Sequence, residues 1–275
     1  MSRVAAEAPT LWLQRQQAAE ARILASARSN AVSVVPPVVA VSCTGLIQYD
    51  ECPRLYRYLH VDRLPTRPAP WSALGTEVHR LIEERTQLLE RRGRDPEEDA
   101  REPDLDEHAV PHGEGQPLSI PKLLSTYEST RFAGRPASKV EEPFSLSLGH
   151  NRLRGRIDRL DQFGDGAWEI VDYKVSRYHG QVLRRQRIQM KLYSLAAWRL
   201  WEVDPESLTC HVIYLIDGHE ETLRHSAEEL DQAERWAVEE AEQIRRGEYP
   251  RVHTATCEQC GYTQVCRIED GLDRP

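Results

Sequence analysis

Apolar positions recur every three to four residues near both ends of the chain and at strand spacing in its middle. The clearest helical stripe, Leu74 to Ile82, predicts a helix from Ser72 to about Arg92. Five more helices are predicted: Leu11–Arg28, Thr44–Leu59 with Thr44 as its cap, Ser119–Arg131, Gln181–Trp201 and Ala227–Gly247.

Strand patterns fill the region between these helices. Five strands are predicted, with turns at positions 149–151 and 164–166: Val140–Leu148, Arg152–Asp161, Ala167–Val175, Leu208–Ile216 and Glu220–Arg224. Cys210 falls inside the fourth strand, so we expect it in the core. The order of helix, three strands, helix and strand indicates an α/β fold with a mixed sheet.

The domain organisation follows from changes in composition. Residues 1–40 are predicted to be an N-terminal helix and a linker with two adjacent prolines, and residues 41–275 one domain. Within that domain, 93–117 is acidic with scattered Pro and Gly and is predicted to be a loop insert. Residues 250–275 form a cysteine-containing tail.

Composition narrows the functional classes. The chain has 275 residues, of which 40% are hydrophobic and 29% charged, and its longest apolar run is far short of the roughly 20 residues of a membrane span. No secretory signal is visible at the N-terminus, so we expect a cytoplasmic protein without membrane contact. The net charge of −8 argues against a protein that coats DNA generally.

Two basic stretches stand out against this acidic background. They could line a phosphate track or be solvated faces of a strand and a helix. Their members are Arg152, Arg154, Arg156 and Arg159 in the first stretch, and Arg177, Arg184, Arg185, Arg187 and Lys191 in the second.

The second and third strands carry the most informative chemistry. If their turn centres on Asp165, the numbers of facing residues add up to about 330, which places Asp158 opposite Asp172. Lys174 lies two residues further and points to the same face. Facing carboxylates repel unless a cation compensates, and carboxylate oxygens are ligands that Mg²⁺ and Mn²⁺ favour. An exposed hairpin with an ordinary Asp–Lys pair would have the same pattern.

Four cysteines form a second candidate site. Cys52 stands alone, whereas Cys257, Cys260 and Cys266 follow each other as Cys-x2-Cys-x5-Cys. In a reducing compartment such a set is more often a metal site than a pair of disulfides. Zinc and an iron–sulfur cluster both use four thiolates, and the spacing does not choose between them.

Five segments in order resemble the PD-(D/E)XK nuclease superfamily, and within it the RecB-like branch that includes AddB-type and CRISPR-adaptation exonucleases. The resemblance covers about Val41 to Cys266. Its motifs are Gly75–His79, Gly155–Leu160, Trp168–Lys174, Gln189–Tyr193, and the four-cysteine set with Cys52-Pro53-Arg54-Leu55-Tyr56.

This resemblance implies a restriction-endonuclease-like core, with helices flanking the sheet and the chain ends joined by a cysteine-ligated cluster. It makes Asp158, Asp172 and the Tyr173 carbonyl ligands of Mg²⁺ or Mn²⁺, and Lys174 the catalytic lysine. His79 would be a further ligand, one that suits Mn²⁺. Gln189 and Tyr193 would position DNA or the active site. The cysteines would hold a [4Fe-4S] cluster, with zinc as the alternative.

The expected function is a metal-dependent DNA exonuclease in DNA repair or recombination, or in CRISPR or phage-defence DNA processing. DNA with a single-stranded end and a helicase or other repair or CRISPR protein are the expected partners. An alternative is a DNA-binding or scaffolding subunit of a helicase–nuclease complex, because the N-terminal helix lies outside the resemblance. A nuclease that acts on RNA is a third possibility.

Overall fold

The computed structural model describes residues 18, 21, 36–66, 70–94, 109–110, 118–254, 257–258 and 260–271. The predicted helix Leu11–Arg28 lies outside these residues except for Ala18 and Ala21, which are helical. The chain divides into two compact units. The first comprises 1–68, 147–152 and 237–275, and the second comprises 69–146 and 153–236.

Eight strands and seven α-helices are found among the described residues. The strands are β1 (Ala40–Ser42), β2 (Ala109–Val110), β3 (Leu118–Ser119), β4 (Lys139–Leu148), β5 (Asn151–Gln162), β6 (Trp168–Lys174), β7 (Leu208–Tyr214) and β8 (His219–Leu223). The helices are α1 (Cys43–Glu51), α2 (Pro53–Tyr56), α3 (Pro70–Arg94), α4 (Ile120–Glu128), α5 (Arg184–Trp201), α6 (Ala227–Arg246) and α7 (Thr263–Glu269). None of these helices is long and apolar enough to cross a membrane.

A mixed sheet forms the centre of the second unit. Strand β5 pairs with β4 and lies antiparallel to β6, β6 lies parallel to β7, and β7 lies antiparallel to β8. The parallel pair requires a crossover, and α5 is the helix within it. The predicted mixed sheet is therefore confirmed, and its strands differ from the predicted bounds by at most two residues.

Helices cover both faces of this sheet. Leu74, Val78 and Ile82 of α3 are buried together with residues of α4 and with Val171 and Ile213 of the sheet. On the opposite face α5 packs against β7, where the Ser194 hydroxyl lies 3.0 Å from His225 Nδ1 and 3.1 Å from the sulfur of Cys210. Cys210 is 1% exposed, as predicted.

The first unit begins with β1 and two short helices. The amide of Arg152 donates to the Val39 carbonyl at 2.9 Å, which places the start of β5 beside β1. Ser42, not Thr44, caps α1, because its hydroxyl accepts from the amide of Gly45.

The predicted helix Thr44–Leu59 is interrupted at Cys52. The backbone there is extended, with φ −162° and ψ 104°, and Pro53 starts a new helix. Proline disfavours helical geometry in the residue before it and favours the first position of a helix. A π-helical turn, Arg57–Val61, then continues the chain.

The predicted loop 93–117 is wrong at its described positions. Helix α3 continues through Arg94, and β2 pairs antiparallel with β3 through Ala109–Ser119 and Val110–Leu118. Residues 95–108 and 111–117 lie outside the described residues. Acidic composition alone did not distinguish a charged helix end from a loop.

Candidate active site

The hairpin of β5 and β6 places two aspartates side by side. Arg159 pairs with Val171, so the numbers of facing residues add up to 330 and the predicted register is confirmed. Asp158 and Asp172 occupy the next facing positions. The Tyr173 amide donates a hydrogen bond to Asp158 Oδ2 at 2.9 Å, which fixes that carboxylate against β6.

Helix α3 and strand β4 add two more groups at Asp158. Nδ1 of His79 lies 3.4 Å from Asp158 Oδ2 and 3.8 Å from Glu141 Oε1. One ligand atom from each of the three residues lies within 4.8 Å of the other two. They open into a cleft of ≈ 510 Å³, lined also by Arg80 and Arg156. An imidazole and two carboxylates therefore converge at one solvent-accessible point.

Glu141 is the site residue that the sequence did not reveal. Its φ is +48°, a left-handed conformation that is uncommon for a residue with a side chain. Strain of this kind persists where the surrounding structure holds the residue, and it is frequent at functional sites. Strand alternation could not have predicted its direction, because the backbone leaves the strand conformation at this residue.

The charges of these groups are strongly linked. Burial alone would lower the pKa of His79, but the Asp158 charge and hydrogen bonds with Asp158 and Glu141 raise that pKa to about 10. Burial would raise the pKa of Asp158, yet the His79 cation, the Lys174 charge and the Tyr173 amide together outweigh burial and lower that pKa. A protonated His79 thus holds the cationic position between two carboxylates.

Asp172 behaves differently from its neighbour. Burial is the main cause that raises its pKa to about 6, and the nearby Asp158 charge adds to the increase. Its Oδ2 lies 2.7 Å from Lys174 Nζ, but the approach lacks hydrogen-bond geometry and the oxygen has no hydrogen-bond partner among the described residues. A buried carboxylate oxygen without such a partner is positioned to accept an additional ligand.

Gln189 connects the two catalytic candidates of β6. Its Oε1 accepts from Lys174 Nζ at 2.9 Å, and its Nε2 donates to Asp172 Oδ1 at 3.0 Å. The second Nε2 hydrogen reaches Tyr193 Oη at 2.8 Å, one helical turn further along α5. The structure therefore brings Asp172, Lys174, Gln189 and Tyr193 into one hydrogen-bonded group.

The donor set fits a divalent metal. His79, Glu141 and Asp158 offer one nitrogen and carboxylate oxygens, and Oδ2 of Asp172 is a further donor. Oxygen-rich sets suit Mg²⁺, and an imidazole is compatible with Mn²⁺. The amide of Tyr173 is engaged by Asp158, whereas the role expected of its carbonyl stays a prediction.

One of the two basic stretches is divided by strand alternation. Arg152, Arg154 and Arg156 are exposed, but Arg159 is 1% exposed and points into the core. Its guanidinium donates to Asp161 Oδ2 at 2.9 Å and to the Phe132 carbonyl at 2.7 Å. Arg159 therefore cannot belong to a surface phosphate track, and its role is structural.

The four cysteines meet in the first unit. Cys52, Cys257, Cys260 and Cys266 line one pocket, together with Arg54 and other residues, and all six cysteines of the chain are free thiols. Burial raises the pKa of the Cys260 thiol, and the other three sulfurs raise it further. The predicted meeting of Cys52 with the tail is therefore observed.

The fold and the carboxylate–lysine site are typical of metal-dependent nucleases. The family model of the PD-(D/E)XK nuclease superfamily matches residues 40–267, and the chain belongs to this superfamily.

More specific relatives match only in part. Two proteins of Streptococcus equi subsp. zooepidemicus, from strains MGCS10565 and H70, are named as subunits of an ATP-dependent helicase/deoxyribonuclease. Each is 57% identical over 44 residues, which is 16% of this chain and 4% of the relative. The crystal structure of SSO0001 superposes with a TM-score of 0.44 at 15% identity, over 94% of this chain and 97% of that one.

Proposed function

We propose that this protein is a metal-dependent DNA exonuclease of the RecB-like branch, acting in DNA repair, recombination or defence against foreign DNA. The observation that carries the proposal is the position of Lys174 at the end of β6. Its ammonium lies 2.7 Å from Asp172 and 2.9 Å from Gln189, on the strand next to the Asp158 carboxylate.

The metal site consists of His79, Glu141, Asp158 and Asp172 in this proposal. A bound Mg²⁺ or Mn²⁺ would supply positive charge to the phosphodiester and increase the acidity of water. The protein itself supplies orientation. Gln189 holds Lys174 and Asp172 together, so the ammonium is fixed before substrate arrives and can stabilise negative charge that develops on phosphate oxygens.

Substitution of Lys174 tests the proposal directly. Lys174→Gln should reduce Mn²⁺-dependent cleavage of end-labelled linear DNA by at least about 100-fold, the usual cost of losing one preorganised charge-stabilising group. Lys122→Gln, at an exposed lysine of α4, is the matched control and should cleave normally. Covalently closed circular DNA should resist the wild-type protein if free ends are required. Normal cleavage by the Lys174 variant would refute the active-site assignment.

A helicase–nuclease subunit is the second candidate. The short match to the two streptococcal proteins favours it, because their name joins helicase and deoxyribonuclease. The chain spans only 4% of their length, so a partner would have to supply any helicase activity. Copurification with an ATPase, together with no cleavage of free DNA under any divalent metal, would support this candidate over an autonomous exonuclease.

We also propose that the four cysteines hold a [4Fe-4S] cluster. The support for this proposal is that Cys52, Cys257, Cys260 and Cys266 line one pocket, and four thiolates can hold either a [4Fe-4S] cluster or zinc. Anaerobically purified protein should be coloured and contain iron and sulfide, whereas colourless protein containing zinc would refute the cluster.

The domain organisation is a related proposal. Residues 41–275 act as one nuclease domain, and residues 1–40 contact a partner. Removal of residues 1–35 should leave cleavage of free DNA unchanged and should weaken copurification of a partner. Loss of cleavage with an intact thermal unfolding transition would refute this division.

A further inference from the structure

An aromatic pair lies at the sheet edge that also carries Lys174. The rings of Tyr178 and His219 stack with centroids 3.7 Å apart and an interplanar angle of 13°. Tyr178 also meets Tyr214 edge-on at 5.3 Å. We refer to the Tyr178–His219 stack as the aromatic platform.

The sheet register places this platform near the active site. Strands β6 and β7 are parallel, and Lys174 pairs with Tyr214 at their carboxyl ends. Neighbouring strands lie about 4.8 Å apart, so the Tyr178 ring is on the order of 10 Å from the Lys174 backbone. Ligands of α/β sheets commonly bind outside the carboxyl ends of parallel strands.

The platform is held rigidly. The Tyr178 amide donates to Asp217 Oδ2 at 2.9 Å. Glu221 lies 2.8 Å from His219 Nε2 and holds that ring in place, while 39% of the His219 side chain stays exposed. An aromatic group that is ordered before binding loses little entropy when a flat ligand stacks on it.

Two arginine side chains lie near the rings, together with the carboxylates of Asp217 and Glu221. Arg177 and His179, the chain neighbours of Tyr178, are not buried. Arg187 donates through Nε to the Val182 carbonyl at 3.1 Å, and its charge acts on both Tyr178 and Glu221. The two acidic groups at the platform, Asp217 and Glu221, are both engaged in hydrogen bonds. Aromatic faces among cationic side chains are the usual means of holding single-stranded nucleic acid.

We infer that the aromatic platform binds an unpaired base of the DNA strand near the scissile phosphate, with Arg177 and Arg187 contacting the adjoining phosphates. The inference rests on the proposed nuclease function and specifies its substrate as a single strand. Inside a duplex, each base is stacked between its neighbours and paired with the opposite strand, so its flat face cannot contact the platform.

Binding without cleavage tests this inference. Fluorescein-labelled oligo(dT) is titrated in EDTA with the wild-type protein and with Tyr178→Ala and Tyr178→Leu. Loss of one base–aromatic stack should weaken binding by about 5- to 150-fold, and Tyr178→Trp should retain wild-type affinity. Trp201→Ala, at the opposite end of α5, is the aromatic control and should bind normally. Unchanged oligo(dT) binding in the Ala and Leu variants would overturn the inference.

Two further measurements separate the parts of the platform. Arg177→Gln should reduce the slope of log affinity against log salt by about 0.7, the value for one phosphate contact on a single strand. A covalently closed circular duplex should lose less than about 2-fold in affinity on Tyr178→Ala, because all of its base faces are covered. An equal loss for duplex and oligo(dT) would refute base stacking.

Failure of the platform and failure of the nuclease assignment give different results. If wild-type protein cleaves DNA and Tyr178→Ala binds and cleaves oligo(dT) as well as wild type does, the proposed role of the platform is wrong and the nuclease assignment stands. If wild-type protein cleaves nothing with Mg²⁺ or Mn²⁺ but Tyr178→Ala still weakens oligo(dT) binding, the platform stands and the nuclease assignment is wrong. Thermal unfolding of each variant confirms that the fold is intact.

Discussion

Replacing His79 with glutamine tests whether the imidazole is held as a cation between Asp158 and Glu141 in the metal-free protein. A histidine whose pKa rises from 6.5 to about 10 on folding stabilises the folded state most below pH 6.5. This contribution is lost as the pH rises from 6.5 towards 10. Wild-type protein in EDTA should therefore become less stable across that window, and His79→Gln should lose this dependence.

The magnitude follows from the shift. At about 1.4 kcal/mol for each pH unit, the full change corresponds to at most roughly 5 kcal/mol. The His79 side chain is 28% exposed, and water screens part of the interaction. We therefore expect a loss of about 2 kcal/mol in the wild-type free energy of unfolding between pH 6.5 and about 9.5, relative to the variant.

Denaturant unfolding in EDTA at several pH values measures this difference. Arg80→Gln, at the residue after His79 in α3, is the control and should keep the wild-type dependence of stability on pH. Added Mn²⁺ should reverse the trend, because a metal competes with the proton for the imidazole and binds better at high pH. Parallel pH profiles for wild type and His79→Gln, with or without Mn²⁺, would refute the assignment of His79 to a cation site.

Three further predictions address the surrounding structure. Arg159→Met should lower the free energy of unfolding by about 3–5 kcal/mol, because it leaves the Asp161 carboxylate buried without its cation. The double variant Arg159→Met with Asp161→Asn should recover part of this loss. Unchanged stability of the single variant would contradict the role of the buried ion pair. Burial lowers the pKa of His225 from 6.5 to about 4, so the free energy of unfolding should fall by about 2 kcal/mol as the pH drops from 6.5 to about 4. An equal fall in His225→Gln would show that protonation of His225 is not the cause. Arg54 Nη1 lies 4.0 Å from the Cys266 sulfur and 2.5 Å from Asp270. If the cysteines hold the proposed metal centre, Arg54→Gln should lose that metal to a chelator faster than Arg251→Gln does, and equal rates of loss would exclude a specific role for Arg54.

The part of the site that lies on β5 and β6 could be predicted from sequence. A hairpin register is set by its turn, and side chains alternate along each strand, so the facing of Asp158 and Asp172 and the shared side of Lys174 follow from local rules. The same holds for Gln189 and Tyr193, which are four residues apart on one helix and are bonded in the structure.

Long-range positions could not be obtained in this way. Glu141 lies 3.8 Å from His79 and has a backbone of positive φ, and no local pattern signals either feature. Arg159 was grouped with surface arginines, although it is buried with Asp161. Composition gives the number of charges in a segment, but the packing of the fold determines which of them face water.

The sequence by itself determined the α/β class, the order of helices and strands along the chain, and the grouping of Asp158, Asp172 and Lys174 on the hairpin. These features depend on periodicities of two and 3.6 residues and on turn length. Only the tertiary structure decided which distant residues share a site. It placed Glu141 beside His79 and set Tyr178 on His219, next to the strand end that carries Lys174. Contacts of this kind depend on how elements far apart in the chain pack together, and that arrangement leaves no periodic signal in the residues themselves.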